Sequence, residues 1–312
     1  MVKVLEAVPN FSEGRDLSKI QALVDTIARA GVDVFDWSAD PDHHRCVITY
    51  AGDPSAVAAA SIAGAAFAKE HIDLRAHSGV HPRVGALDVL PFIPLRNLDM
   101  NDAVEVAHRV GVEVAALGLP VFFYGQAATP PGRGLAELRR GGFEALKEGF
   151  VKGRCPDLPN GCLHPHPTAG VTCVGAREVL LAWNVFVGGL DVVDAKAIAG
   201  MIRERNGGFT GLRALGLHLP GQDRIQVSMN LEDPERTSPM AVFERIERLV
   251  AARGGQVLET QVIGMIHDAL VLPAMAGRLH ILDLEPARVL SHRVNQHVQG
   301  RLGMEMETPQ DS

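Results

Sequence analysis

The order of strand-like and helix-like segments is the feature of this sequence that most restricts its fold. From the N-terminus to about Pro94 the hydrophobic pattern predicts strand, helix, strand, strand, helix, strand, and a further helix and strand follow up to Tyr124. From Leu180 the same six-segment order returns, with a hairpin turn at Pro220–Asp223 in its middle. The chain is therefore expected to hold two units of one topology, without visible sequence identity between them.

Local signals support these boundaries. Asp16 is placed to cap the first helix and Gly31 to end it, while Ser238 and Pro239 supply a cap and a first-turn proline to a later helix. In the strand from Arg224 to Leu231 apolar and polar residues alternate, so its polar residues, Gln226 among them, are expected to face solvent.

Two consecutive β-α-β-β-α-β units predict an α+β protein made of two ferredoxin-like subdomains, residues 1–177 and 178–312. Each would carry helices on one face of an antiparallel sheet. The uncovered faces must then pack on each other or on a second subunit, so the groove between them is the expected ligand site. Between the units, Gly125 to Ala169 is rich in Gly, Pro and Arg, and a loop of that length is usually functional or mobile.

Composition excludes several classes of protein. A formal net charge of -7 and the lack of a basic stripe argue against a nucleic-acid binder. No apolar run is long enough to span a membrane, and the N-terminus lacks a signal-peptide layout. With only 4 cysteines in no repeated spacing, a disulfide framework is not expected, and the cytoplasm is the expected compartment.

Four groups of polar residues could carry chemistry. The third of them contains His81, which precedes a short apolar segment that reads as a buried strand. An imidazole held at the mouth of a buried strand could act as a general acid and base, although a histidine in a loop more often has no catalytic role. The four groups are Val8–Arg15, Asp36–Arg45, His77–Asp88, and Cys162–Arg177 with the strand that holds Asn184.

Other kinds of site are less well supported. Cys155, Cys162, His164, His166 and Cys173 include metal-binding types, but their spacings fit no common zinc module, so no metal is predicted. Nothing in the sequence pairs one of the cysteines with a base, which disfavours a cysteine nucleophile. No glycine-rich segment follows a strand and opens a helix, as a phosphate-binding loop would require.

Two long motifs resemble one known family. The segment Val8–Gly14, which reads VPNFSEG, and the segment His81–Val89, which reads HPRVGALDV and is followed by PFIP at Pro91–Pro94, are similar to the opening and catalytic motifs of the formiminotransferase domain family. With smaller matches between and after them, the resemblance covers nearly the whole chain.

The resemblance implies two ferredoxin-like subdomains, a homodimer, and transfer of a formimino group between N-formimino-L-glutamate and tetrahydrofolate. Tetrahydrofolate would be a co-substrate, with no permanently bound cofactor. The family's catalytic histidine corresponds to His81, and its folate-binding segment falls on the region from Gly170 to Arg177 and the strand after it. Vertebrate members also carry a cyclodeaminase domain, which here is expected on a separate protein.

The reaction suggests a role for each candidate residue. Arg45, Arg83 and Arg177 are expected to clamp substrate carboxylates, and Asp36, Asp40 and Asp42 to stabilise the cationic amidine. Asp88 or Asp36 would hold the second ring nitrogen of His81. The remaining candidate contacts to the amidine or the folate are Asn10, Gly170, Thr172, Gly175 and Asn184.

The sequence departs from the family at two places, and three other functions stay open. Ser38 stands where the family has an aspartate, and the segment Cys162–Pro167 is about two residues longer than its family counterpart. The alternatives are formyl transfer from 5-formyltetrahydrofolate, a folate-binding protein without catalysis, and a metal-dependent hydrolase that uses Cys162, His164 and His166.

Overall fold

A computed structural model describes residues 1–150, 154–234, 236–266, 268, 277–282 and 284–307 of the chain. These residues form two compact units. The first comprises Met1–Arg177 together with the described residues from Val294 onward, and the second comprises Glu178–Arg293. The sequence had placed the residues after Val294 with the second unit.

The first unit is built on a seven-stranded sheet. Its elements in chain order are β1 (Val4–Ala7), β2 (Asn10–Phe11), α1 (Leu17–Ala28), β3 (Asp33–Asp40), β4 (Arg45–Gly52), α2 (Pro54–His71), β5 (Leu87–Arg96), α3 (Met100–Ala116), β6 (Val121–Gly125), α4 (Leu135–Leu138) and β7 (Thr172–Ala176).

The strand order of this sheet is that of a ferredoxin-like unit with an extension. Strands β1 and β2 both lie between β4 and β5, so they act as one strand interrupted at Val8 and Pro9. Strand β3 pairs with β4 on the outside, which gives the order β3, β4, β1, β5 with antiparallel neighbours. Strand β7 then pairs in parallel with β5, and β6 pairs in parallel with β7.

One face of this sheet packs on the three long helices. Helix α1 buries Ile20, Leu23, Val24 and Ile27, whereas Leu17 in its first turn is exposed. The Asp16 side chain accepts a hydrogen bond from the Lys19 amide as the helix cap. The other face carries a smaller apolar cluster, in which residues of β5, β6 and β7 meet residues of the long segment Gly125–Ala169, the excursion. The excursion therefore covers part of the sheet face on which the sequence predicted no helices. Members of this cluster include Val89, Phe122, Leu138, Leu146 and Cys173.

The second unit repeats the same topology in simple form. Its elements in chain order are β8 (Leu181–Gly188), α5 (Val192–Ile202), β9 (Leu212–Leu219), β10 (Arg224–Leu231), α6 (Pro239–Ala251) and β11 (Gln256–Ile263). Its sheet has the strand order β11, β8, β10, β9, all antiparallel, and both strands of the central hairpin have the predicted bounds. The two ferredoxin-like subdomains predicted from the sequence are thus confirmed. Helix α7 (Leu290–Glu307) begins in this unit and belongs to the first unit from Val294 onward.

One expectation for this sheet was wrong. Gln226 was predicted to face solvent, but only 1% of it is exposed. In the sheet it lies directly between Phe186 and Leu217 on the neighbouring strands, and these large apolar side chains flank its amide. Among the described residues, no helix has both the length and the apolar composition needed to cross a membrane.

Candidate active site

The loop from His77 to Ala86, which leads into β5, carries the histidine that the sequence singled out. Asp88, at the start of β5, is fully buried, and its Oδ1 atom accepts hydrogen bonds from the backbone amides of Val84 at 2.7 Å and Gly85 at 3.3 Å. A buried carboxylate needs such donors to offset the loss of hydration. Asp88 therefore fixes the backbone of the loop that precedes its own strand.

A second chain segment supports the same loop from behind. The amide of Ala86 donates to the carbonyl of Ala169 at 2.8 Å, and the amide of Val171 donates to the carbonyl of Val84 at 3.0 Å. Gly170 lies at this crossing with φ +69°, and a Cβ atom there would overlap the Val84 carbonyl oxygen. At Gly170, for which a folate contact is predicted, the lack of a side chain allows two backbones to pass closely.

Two guanidinium groups surround the other oxygen of Asp88. Arg45 Nη1 donates to Asp88 Oδ2 at 3.0 Å, and Arg139 Nη2 forms an ion pair with the same oxygen at 2.8 Å. Arg45 reaches the site from β4 and also donates through Nε to Oδ1 of Asn10 at 2.9 Å. Arg139 comes from the excursion, directly after α4, and was not identified from the sequence.

His81 lies against the same two guanidinium groups. Its Nδ1 atom is 2.9 Å from the carbonyl oxygen of Pro82, 3.3 Å from Arg45 Nη1 and 3.2 Å from Arg139 Nη2. Burial, followed by the charges of Arg45 and Arg139, lowers the pKa of His81 well below its ordinary value. The ring is partly exposed, and within the described part of the chain Nε2 has no hydrogen-bond partner. Nδ1 is thus held by the protein, and Nε2 is the nitrogen left for a ligand.

This geometry corrects the expected support of His81. Asp88 was one of two carboxylates predicted to bind the second ring nitrogen directly, but its oxygens are occupied by two amides and two guanidinium groups. The carbonyl of Pro82 lies at that nitrogen instead. Asp88 acts on the imidazole through Arg45 and Arg139.

Further histidines hold the loop in place. His77 Nε2 is 2.7 Å from the carbonyl oxygen of His44, and the two rings stack with centroids 4.3 Å apart. Nε2 of His44 in turn lies 3.3 Å from Oε1 of Glu13, and Glu13 belongs to the first polar turn of the chain. The ring of His43 lies 5.6 Å from that of His81. The polar turns that the sequence predicted as separate groups therefore meet at one place.

Arg83, which the sequence predicted as a clamp for a substrate carboxylate, is paired within the protein in this structure. Its Nη1 and Nη2 atoms donate to the two carboxylate oxygens of Glu144, each at 2.7 Å, and only 8% of Arg83 is exposed. The carbonyl of Arg83 also accepts a hydrogen bond from the Phe143 amide at 2.8 Å. This bidentate pair fastens the excursion to the loop of His81, and the clamp role of Arg83 stays a prediction.

The remaining predicted residues are more scattered. Asp36 lies half-buried on β3, Asp42 lies in the turn after it, and Oδ1 of Asp40 accepts a hydrogen bond from the His43 amide at 2.7 Å. Asn184 belongs to the second unit, where its amide donates to Gln261 at 3.3 Å.

Strand β7 places two of the predicted folate contacts differently. Thr172 is 1% exposed and alternates with Val174 and Ala176, which pack in the helix-side core, so its side chain is directed away from Asp88. Gly175 lies under the ring of Tyr124, and a Cβ atom at this position would come within 2.6 Å of that ring. Neither residue reaches His81.

Glu6, a buried acid beside Arg177, was not identified from the sequence. Glu6, on β1, is 3% exposed, and burial raises its pKa to about 7 although the charge of Arg177 opposes that shift. Arg177 also hydrogen-bonds Tyr124. The signal was present in the sequence, since Glu6 stands between apolar residues in a segment expected to be a strand.

The cysteine and histidine cluster of the excursion has local contacts. Cys162 Sγ donates to the carbonyl of His164 at 3.2 Å, and Nδ1 of His166 accepts from the amide of Ala169 at 3.1 Å. Among the residues that the structure describes, no group of three or more His, Cys, Asp or Glu side chains could hold a metal ion.

The fold and the site together define a class: an α+β protein of two ferredoxin-like units, with an imidazole beside two guanidinium groups that a buried carboxylate binds. The chain matches the family profiles described as the formiminotransferase domain, N-terminal subdomain, over residues 4–177, and the formiminotransferase domain, over residues 182–305. The chain belongs to the formiminotransferase domain family.

Characterised relatives agree with this membership. A glutamate formimidoyltransferase of Streptococcus pyogenes serotype M1 is 38% identical over 289 residues, which cover 91% of this chain and 96% of the relative. A second one, from Thermoplasma acidophilum, is 35% identical and covers 95% of this chain and 98% of the relative. The formimidoyltransferase-cyclodeaminase of Rattus norvegicus is 35% identical over 100% of this chain, which spans 58% of the length of that relative.

Proposed function

We propose that the protein is a glutamate formimidoyltransferase, which transfers a formimino group between N-formimino-L-glutamate and tetrahydrofolate. The proposal rests on the surroundings of His81, whose Nδ1 is held by protein groups. Burial and two arginines lower the pKa of His81 well below its ordinary value. Such an imidazole is neutral near pH 7, so Nε2 is ready to accept a proton.

The transfer exchanges one amine for another on an amidine carbon. N5 of tetrahydrofolate bonds to that carbon and loses a proton to Nε2 of His81, which gives a tetrahedral intermediate. The imidazolium then returns the proton to the glutamate nitrogen as the bond between that nitrogen and the carbon breaks. No net oxidation occurs, so tetrahydrofolate serves as co-substrate and no redox cofactor is needed.

The low pKa of His81 keeps the ring in its neutral form before the exchange and makes the imidazolium a strong acid in its second half. A neutral ring is the form that accepts a proton from N5. Once protonated, a ring beside Arg45 and Arg139 is a stronger acid than a free imidazolium, because both guanidinium groups disfavour its charge. The proton is therefore passed on readily to the leaving nitrogen.

The remaining polar groups near the loop are assigned to the substrates. Asp36, Asp40 and Asp42 are the carboxylates that would stabilise a protonated amidine. Asn10, held by Arg45 at 2.9 Å, is oriented to hydrogen-bond a ligand. Arg177 is a candidate clamp for a substrate carboxylate, and so is Arg83, which pairs with Glu144 in this structure.

The decisive experiment mixes the purified protein with tetrahydrofolate and N-formimino-L-glutamate and follows formation of 5-formiminotetrahydrofolate by absorbance. We expect product with wild type and none above background with His81→Ala. A parallel reaction with 5-formyltetrahydrofolate and glutamate tests formyl transfer. Folate binding in calorimetry without turnover of either donor would contradict the proposal and support a binding protein.

The assembly and the compartment are part of the same proposal. On the basis of family resemblance we infer a homodimer that acts in the cytoplasm. Light scattering of the purified protein would give a mass near twice 33.4 kDa. A monomer at catalytic concentrations would contradict the dimer while leaving the reaction untouched.

A further inference from the structure

We propose that Arg139 is a positioning residue for His81, delivered to the active site by the excursion, and that it selects Nε2 as the reacting nitrogen. The inference rests on the proposed function of His81 as the acid and base of the transfer. Arg139 itself need not touch either substrate. Its role follows from what its guanidinium group contacts.

One nitrogen of Arg139 contacts three groups that define the imidazole. Nη2 donates to the carbonyl oxygen of Pro82, lies 2.8 Å from Oδ2 of Asp88, and lies 3.2 Å from Nδ1 of His81. The Pro82 carbonyl is also the group closest to Nδ1, at 2.9 Å. Arg139 thus fixes both the carbonyl that can accept the Nδ1 proton and the carboxylate that balances the positive charge.

The two hydrogens of Arg139 Nη2 can go to the Pro82 carbonyl and to Asp88 Oδ2, so Nδ1 of His81 need not accept either of them and can carry its own hydrogen. When Nδ1 carries the hydrogen and donates it to the Pro82 carbonyl, the lone pair of the neutral ring is on Nε2, the nitrogen that the described residues leave without a partner. Further protonation would place an imidazolium beside two guanidinium groups, which Asp88 compensates only in part. Arg139 therefore keeps the ring neutral and turned in one direction.

Arg139 differs from Arg45 in how it reaches the site. Arg45 is part of β4 and is held from its other side by Asn10. Arg139 follows a helix of 4 residues in the excursion, and that segment is attached to the loop of His81 through Arg83, whose side chain pairs with Glu144. The excursion thus supplies Arg139, one of the two cations that act on His81.

The charged groups around His81 come from four elements. Strand β4 supplies Arg45, the turn before it supplies His43, β5 supplies Asp88, and the excursion supplies Arg139. Of these, Arg139 can be changed without altering a strand of the sheet. Its exposed neighbour Arg140 provides a matched control, since it carries the same charge one position away.

Three variants and two measurements test the inference. Arg139→Gln, Arg139→Lys and Arg140→Gln are compared with wild type in steady-state kinetics from pH 5 to 9. The same proteins, labelled with 15N-histidine, are titrated by NMR without substrates, and the His81 signals are assigned from the spectrum of His81→Ala.

For Arg139→Gln we expect kcat to fall about 10- to 100-fold with KM changed less than about threefold. The His81 titration and the acid limb of the kcat profile should both move to higher pH by about half a unit or more, since a nearby positive charge is lost. Arg139→Lys should keep most of the lowering of the His81 pKa, because the positive charge remains. It should still lose at least about threefold in kcat, because a single ammonium cannot reproduce the planar set of donors of a guanidinium. Arg140→Gln should match wild type.

An unchanged His81 titration in Arg139→Gln, or an equal loss of kcat in Arg140→Gln, would overturn the inference. If thermal melts show that Arg139→Gln does not fold, Arg139→Lys decides, and a wild-type kcat in that variant counts against it. The NMR titration needs no substrate, so it still reports on Arg139 if wild type fails to transfer a formimino group.

Discussion

Glu144 accepts one hydrogen bond from each terminal guanidinium nitrogen of Arg83, and both are 2.7 Å long. The arginine belongs to the loop of His81 and is almost fully buried, whereas the carboxylate lies at the surface of the excursion with 56% of its side chain exposed. The hydrogen bonds from Arg83 lower the pKa of Glu144 to about 2. This pair joins two segments 61 residues apart in sequence, and it lies five residues beyond Arg139 along the excursion.

Weakening this pair should impair catalysis more than stability. Glu144→Gln removes a charge that is largely solvated, so we expect a loss of less than about 1 kcal/mol in the free energy of unfolding. The excursion would then hold Arg139 less firmly, and kcat should fall about tenfold. Kinetics and chemical denaturation of the purified variant measure both effects.

A double-mutant cycle separates this indirect effect from a direct one. If Glu144 acts through Arg139, the variant Glu144→Gln/Arg139→Gln should have the kcat of Arg139→Gln alone. Glu137→Gln, which changes an exposed acid on α4, is the control and should behave as wild type. Independent, multiplying losses in the double variant would show that the pair does not act through Arg139.

Removal of the imidazole should abolish most of the activity without unfolding the protein. His81→Ala is expected to lower kcat by about 10² to 10⁴, the usual contribution of a general acid and base. Because the pKa of His81 is lowered, the acid limb of the wild-type kcat/KM profile should lie below the ordinary histidine value of 6.5. The same substitution at His218, which is exposed on β9, should leave kcat unchanged. A loss below tenfold in His81→Ala, with a normal thermal melt, would remove His81 from its role.

Glu6 makes a stability prediction that depends on pH. Its pKa is raised from 4.5 to about 7, so the unfolded state ionises first as the pH rises. The stability that the neutral carboxyl provides is complete below pH 4.5 and is lost as the pH rises to about 7, which amounts to about 3 kcal/mol. Relative to wild type, Glu6→Gln should gain about that much between pH 4.5 and pH 8.

Urea unfolding of both proteins at several pH values measures this difference. Glu105→Gln, an exposed acid on α3, serves as the control, and its difference from wild type should stay flat across the same range. A flat difference for Glu6→Gln as well would mean that Glu6 is not held neutral by its surroundings.

The sequence predicted the fold well because the fold depends on local periodicity. The strands Leu212–Leu219 and Arg224–Leu231 have the predicted bounds, and their apolar alternation sets the core face. His81, Arg45 and Asp88 could be named because they stand in motifs at strand ends. Arg139 could not, since it reaches His81 across 58 residues through a segment with no periodic pattern.

The sequence was least informative about which groups are already paired. In the sequence, Arg83 and Arg45 are equivalent as cations expected near His81. Only the structure shows that Arg83 pairs with Glu144 and that Arg45 pairs with Asp88. Two glycines also have a structural explanation that the sequence did not provide. Gly170 and Gly175 stand in the segment that resembles a folate site, but their positions are explained by the backbone and the aromatic ring that pass over them.

The crossing at Gly170 gives a prediction with a matched control. Gly170 has φ +69° and lies against the carbonyl of Val84, whereas Gly161 has φ +77° and no atom within 4 Å of an added Cβ. Gly161→Ala should therefore cost only the backbone strain of a positive φ, about 1 kcal/mol in the free energy of unfolding. Gly170→Ala carries the same strain and must also separate two backbones, so we expect a loss of more than about 3 kcal/mol. Because this crossing supports the loop that holds His81, the kcat of the Gly170→Ala protein that remains folded should also fall. Chemical denaturation and kinetics of both variants measure these effects, and equal stability losses at the two glycines would show that the backbones at this crossing are free to separate.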